Sequence, residues 1–93
     1  MRHIGDALAG TVAELLRQAP LSPGKVDFAW KAAVGTQFER VTSVRLEGEV
    51  LLVDAVSKQW AREVMRGSAV ILPRLQALLG AETVTAIRVR DRS

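Results

Sequence analysis

The chain has 93 residues, 48% of them hydrophobic, with a formal net charge of +3 at pH 7 and no cysteine. That length supports one small domain with a modest core, and the missing thiols exclude disulfides, cysteine nucleophiles and cysteine-bound zinc. No apolar run approaches the roughly 20 residues of a membrane helix, and there is no continuous apolar stretch of a secretory signal, so the expected compartment is a reducing cytoplasm.

Charge is unevenly placed. Residues 1–56 carry six Lys/Arg against seven Asp/Glu, and residues 57–93 carry seven against three, a net of +4 in the C-terminal part. This fits either an anionic partner there or a solubilising arginine surface.

Residues 2–17 place Ile4, Leu8, Val12, Leu15 and Leu16 on one helical face. Gly5 and Gly10 each weaken that helix by roughly 1 kcal/mol relative to Ala, so it depends on tertiary packing. His3 lies in its frayed start, where a lone His is more often idle than a metal ligand. Gln18 to Gly24 is a loop by composition. Ser22 as N-cap and Pro23 at the first helical position begin a second helix. Val26, Trp30, Val34 and Phe38 follow at steps of four and form its buried stripe, flanked by Ala29 and Ala33. Because Phe38 continues the stripe, Gly35 reads as an interior glycine. Trp30 reads as core rather than as a base-stacking platform.

Val44–Glu47 and Val50–Val56 then alternate as two strands, joined by the two-residue turn Gly48-Glu49. Glu47 faces Val50 across the turn, which puts Val44, Leu46, Leu51, Val53 and Ala55 on the core face. Arg45, Glu47, Val50, Leu52, Asp54 and Val56 take the other. Ser57 caps a third helix, with Trp60 in its first turn, folded back over the hairpin as core. Trp60, Val64, Ile71, Leu75 and Leu78 keep helical spacing, but Gly67-Ser68 and Pro73 interrupt it. Either one kinked helix runs from 58 to 79, or two short ones meet near Gly67. Gly80 is a stop. Thr83–Val89 reads as the last strand, with Thr85, Ile87 and Val89 inward and Val84, Ala86, Arg88 and Arg90 outward. Residues 91–93 are a tail. The order helix, helix, strand, strand, helix, strand predicts one two-layer α+β domain over residues 1–93, its helices covering one face of a three-stranded sheet.

Enzyme constellations are missing: the chain has one histidine, no phosphate-cradling glycine loop and only scattered carboxylates. No catalysis, cofactor or metal site is expected. The positive signal is Lys58, Arg62 and Arg66, which recur every four residues along one face of the third helix and suit a phosphate backbone; such stripes are also common as plain solvated faces. A second signal is the outer sheet face. Val50, Leu52, Val56 and Val84 are apolar where polar residues are expected, and Arg45, Arg88 and Arg90 rim them, a pattern suited to contact with protein or nucleic acid.

The marks Trp30-x-x-x-Val34-Gly35, Gly48-x-x-Leu51-x-Val53 and Ser57-x-x-Trp60-Ala61-x-Glu63-Val64 stand in this order. Ile71-Leu72-x-x-Leu75-x-x-Leu78-Leu79-Gly80 and Ile87-Arg88-Val89-Arg90 follow. Together the chain resembles the DciA family of bacterial replicative-helicase accessory proteins, from about Ile4 to Arg90. The resemblance implies a KH-like domain that binds DNA and helps load or activate the hexameric helicase. KH domains grip nucleic acid with a G-x-x-G loop between two helices; that slot here is Gly67-Ser68-Ala69-Val70, with one glycine. Many members of the family also carry a basic extension that engages the helicase. This chain ends at Ser93 without one, so the helicase contact lies on the domain, the activity is reduced to DNA binding, or the chain is truncated.

The expected function is therefore non-catalytic DNA binding in the service of the replicative helicase. Lys58, Arg62 and Arg66 neutralise phosphates, Arg45, Arg88 and Arg90 form a second patch, and Val50, Leu52, Val56 and Val84 dock a protein. The alternatives are a structural module that homodimerises through the sheet face and a KH-like RNA-binding protein. No membrane contact is expected.

Overall fold

The computed structural model describes residues 14–92. Helical residues 14–18 (α1) lead to α2 (Pro23–Val34), α3 (Thr36–Arg40), β1 (Thr42–Glu47), β2 (Val50–Ala55), α4 (Lys58–Leu79) and β3 (Ala86–Asp91). The architecture is the expected α+β arrangement with one more helix. The expected positions of Ile4, Leu8, Val12 and His3 lie outside the described residues. Of the two leucines at the end of that stretch, Leu16 packs against the core and Leu15 is exposed.

Ser22 starts α2 as expected: its hydroxyl accepts from the Lys25 amide at 3.1 Å, and Pro23 occupies the first turn. Lys25 is buried, and its ammonium donates to the carbonyls of Arg17 and Ala19 at 3.1 and 2.7 Å, tying the end of α1 to α2. Val26, Ala29, Trp30 and Ala33 form the buried face. Gly35 is not an interior residue. It ends α2 at φ 87° and ψ 170°, a conformation open essentially to glycine alone. Its amide still closes the last turn on Lys31, and α3 starts at once. Phe38 keeps the apolar spacing across this break, which is why the sequence reads as one helix.

Gly48 turns the hairpin at φ 60°, and Glu49 has no positive φ, the pattern of a type II′ turn. The register pairs Glu47 with Val50, Leu46 with Leu51 and Val44 with Val53, as read from the alternation. β3 lies parallel to β2 on the side away from β1, so the sheet order is β1-β2-β3. The crossover between the two parallel strands is α4. This puts β2 in the centre, and its Leu51, Val53 and Ala55 are fully buried beneath α2 and α4.

α4 is one unbroken helix of 22 residues, capped by the Ser57 hydroxyl, which accepts from the Trp60 amide at 3.2 Å. The Gly67–Val70 slot lies inside it, so no KH-type loop exists at that position. Pro73 is accommodated because it sits on the exposed side. The carbonyl it leaves without a helical donor belongs to Ala69, which is also exposed and reaches water. The buried face is Ala61, Val64, Ile71, Leu75 and Leu79.

The last strand begins later than the alternation suggests. Thr83 to Thr85 approach it as turn and extended chain, and Val84 is wholly buried in the core rather than on the outer sheet face. The Gln76 amide donates to the Val84 carbonyl at 3.0 Å and holds it there. From Ala86 on, Ile87 and Val89 face inward as expected. The strand runs to Asp91, one residue into the expected tail.

Candidate nucleic-acid interface

Lys58, Arg62 and Arg66 are all exposed on α4, Arg66 opposite its buried stripe and Lys58 at the stripe's flank. Steps of four residues turn a helix by about 40° beyond a full circle, so the three drift slowly around one face. No acidic residue occupies the first turn of α4. The positive end of the helix dipole therefore stands beside Lys58 without a local counter-charge. Lys58 and Arg62 make no ion pair among the described residues. Arg66 donates to Glu63 at 3.1 Å, with its side chain 75% exposed, an arrangement that neutralises little in water.

Arg45, Arg88 and Arg90 lie elsewhere. The rows across the outer sheet face are Ser43–Asp54–Arg90, Arg45–Leu52–Arg88 and Glu47–Val50–Ala86. Helices cover the other face, so the two basic groups read from the sequence stand on opposite sides of the two-layer fold. They do not form one surface. The sheet group is also partly neutralised. Arg45 pairs with Glu47 at 2.7 Å. Arg90 holds Asp54 through two nitrogens, at 2.8 and 3.1 Å. That hydrogen bonding keeps the Asp54 carboxyl below its ordinary value of 3.8 and raises Arg90. Only Arg88 of the three is without an ion pair among the described residues.

The apolar residues of the sheet face also divide. Val56 is 56% exposed, Val50 is half-buried, and Leu52 is 7% exposed between its cross-strand neighbours Arg45 and Arg88. Val84 drops out, being core. The apolar patch is thus smaller than the alternation implies.

Two further features were not anticipated. Arg40 and Arg92 gather with Thr42, Ser43, Asp54 and Val56 around a shallow depression at the end of the sheet. Arg40 comes there because Gly35 restarts the chain as α3, and Arg92 because its amide continues the ladder by donating to the Ala55 carbonyl at 2.9 Å. The second is Trp60, which is half-buried rather than core. Its ring meets Phe38 of α3 edge-on, centroids 5.4 Å apart, and the two share an open cleft with Gln37, Gln59 and Glu63. At the start of α4 it meets the short α3 rather than the sheet, which leaves part of the ring uncovered.

No group of three or more His, Asp or Glu side chains among the described residues could hold a metal ion, and no helix there is long and apolar enough to cross a membrane. Compared with known families, the sequence matches the family described as Dna[CI] antecedent, DciA, over residues 3–89. No curated protein matches it significantly.

Proposed function

The chain belongs to the DciA family, accessory rather than catalytic proteins associated with helicase loading in bacteria, and from that premise we propose that it binds DNA through the water-facing side of α4. The observation that carries this reading is the pair Lys58 and Arg62, exposed one turn apart and engaged by no carboxylate among the described residues. Arg66 extends the row. The three charges rise about 6 Å per step along the helix and meet successive phosphates of one strand. Each contact releases condensed counterions, so binding is electrostatic and indifferent to base sequence.

The same reading assigns the outer sheet face to protein. Val56 and Val50, with Leu52 between Arg45 and Arg88, form an apolar strip with cationic flanks on the side away from α4. A partner docked there, the helicase or a second copy of the chain, leaves the α4 row free for DNA. That separation lets one small domain in the cytoplasm hold DNA and helicase together while the helicase is loaded or activated.

The test is fluorescence anisotropy with labelled DNA at several salt concentrations. Three phosphate contacts give a slope of log K against log salt of roughly −2 to −3. A protein that binds no DNA at low salt overturns the reading and leaves protein contact as its whole function.

A further inference from the structure

The α4 row explains attraction to any phosphate backbone. It does not explain why the two aromatic rings beside it are left partly open. Phe38 and Trp60 meet edge-on at 5.4 Å, and around them the cleft is lined by two amide side chains, Gln37 and Gln59, and the carboxylate of Glu63. The two tryptophans make a clear contrast. Trp30 is 2% exposed, and its indole N–H donates to the Thr42 hydroxyl at 2.8 Å. Trp60 is half-buried, its N–H has no partner among the described residues, and that nitrogen is not sealed away from solvent. A purely structural indole would be expected to bury its ring and pair its N–H.

We infer that the Phe38–Trp60 cleft is a stacking site for an unpaired base of a single strand whose phosphates lie on Arg62 and Arg66. This rests on the DNA-binding reading above and names its substrate class. The rings supply a π-face, to which every base can stack. Gln37 and Gln59 offer both donors and acceptors to a base edge, and Glu63 accepts from an exocyclic amine. Charge argues for a nucleic acid strand over an apolar peptide: Arg62 follows Gln59 and Arg66 follows Glu63 by three residues on α4, so both cations neighbour the rim of the cleft. A base paired within a duplex keeps its faces covered by its neighbours and cannot enter the cleft, so the site separates single strands from duplex.

The experiment compares wild type, Trp60→Leu, Trp60→Phe and Arg62→Ala against labelled single-stranded DNA, single-stranded RNA and duplex DNA, with the melting temperature of each protein measured alongside. Trp60→Leu weakens single-strand binding about tenfold, the loss of one stacked base. Trp60→Phe keeps most of it, and duplex binding stays unchanged in both. Equal losses for single-stranded DNA and RNA support a site for either strand; a loss for RNA alone overturns the assignment to DNA. Should Trp60→Leu fail to fold, the wild type decides. Single-stranded DNA should shield its exposed indole from acrylamide quenching, and an unshielded indole under saturating strand rejects the site. A folded Trp60→Leu protein that binds single strands like wild type, or loses single strands and duplex equally, also rejects it. Failure of the phosphate reading looks different: Arg62→Ala then leaves affinity and salt slope untouched for every oligonucleotide while the Trp60 effect persists.

Discussion

Arg90 grips Asp54 from the neighbouring strand with two nitrogens, Nε at 2.8 Å from one carboxylate oxygen and Nη2 at 3.1 Å from the other. The residues are register partners across the parallel β2–β3 pair, so the sheet itself sets the geometry of the fork. The pair reinforces an edge strand that is also held by its ladder to β2 and by packing under α4. It also occupies the guanidinium face that a phosphate would use.

The pair makes a pH prediction. Hydrogen bonding to Arg90 lowers the Asp54 pKa below its ordinary 3.8. A depressed carboxylate stabilises the fold at pH values above the unfolded-state value, and that contribution disappears as pH falls through the folded-state value. Wild type should therefore melt above Asp54→Asn at pH 7, and the gap should close below about pH 3.8, the ordinary value from which the shift starts. Thermal melts of both proteins from pH 2 to 7 measure it. The gap is small, because both side chains reach water. A gap that widens on acidification contradicts the assignment.

A second relay holds the helix layer to the sheet. The Trp30 indole donates to the Thr42 hydroxyl at 2.8 Å, and that hydroxyl donates to the Phe38 carbonyl at 2.6 Å, joining α2, β1 and α3. Trp30→Ala removes a fully packed ring and should cost roughly 3–5 kcal/mol, much of what a domain this size has to lose. Thr42→Val keeps the shape but strands the indole N–H, which should cost about 1–3 kcal/mol. Urea titrations of both variants give the values. A Thr42→Val protein as stable as wild type would mean that the relay contributes nothing.

Much of this was legible in the chain, and the misreadings have physical causes. The hairpin was readable because Gly48 allows only a few turns and because alternation fixes both register and face once the turn is set. The Ser22 and Ser57 caps were readable because a hydroxyl before an apolar-periodic run has one common use. Gly35 was misread because the four-residue spacing from Val26 to Phe38 survives a chain break: α3 restarts in near phase with α2, and periodicity carries no backbone torsion. Val84 was misread because the β-rich run Thr83 to Val89 contains no breaker, while the strand forms only where β2 has partners to offer. Trp60 was misread as core because helical spacing gives the angle around an axis, not the length of the surface the helix covers. The six cations are exposed, and the outer sheet face was already readable as a patch apart from the helix row, but spacing carried no signal for the ion pairs of Arg45 and Arg90 or for the placing of Arg40 and Arg92.

Gly35 itself gives a stability prediction. At φ 87° and ψ 170° an L side chain is strained even though nothing lies within 4 Å of an added Cβ. Gly35→Ala should cost about 1–3 kcal/mol through the backbone alone. Chemical denaturation checks this. A neutral Gly35→Ala would mean that α2 runs straight into α3 and that Arg40 points elsewhere.

The sheet face calls for a carefully placed charge. Leu52, at 7% exposure, is a poor site because a carboxylate there disturbs the fold before it disturbs an interface. Val56, 56% exposed at the end of β2, is the better probe. Val56→Glu should leave the melting temperature near wild type and weaken helicase capture or self-association, read by sedimentation velocity with and without the helicase hexamer. Unchanged association in both measurements would remove this face from the account.

The two faces of the fold separate the two cation groups in one experiment. Lys58 and Arg62 have no carboxylate partner among the described residues, whereas Arg90 is held by Asp54 on the opposite side. Arg62→Ala should reduce the salt slope of DNA binding by a little under one unit, whatever the base sequence, because one phosphate contact is lost. Arg90→Ala should leave the slope intact, since its charge was already matched and no phosphate lay on it. Arg88→Ala is the informative third variant, because Arg88 is exposed on the sheet face without an ion pair among the described residues. If the sheet face meets protein and not DNA, Arg88→Ala also leaves the slope intact. A slope that falls for Arg88→Ala and not for Arg62→Ala moves the phosphate path from α4 to the sheet, and the helix row becomes a solvated face.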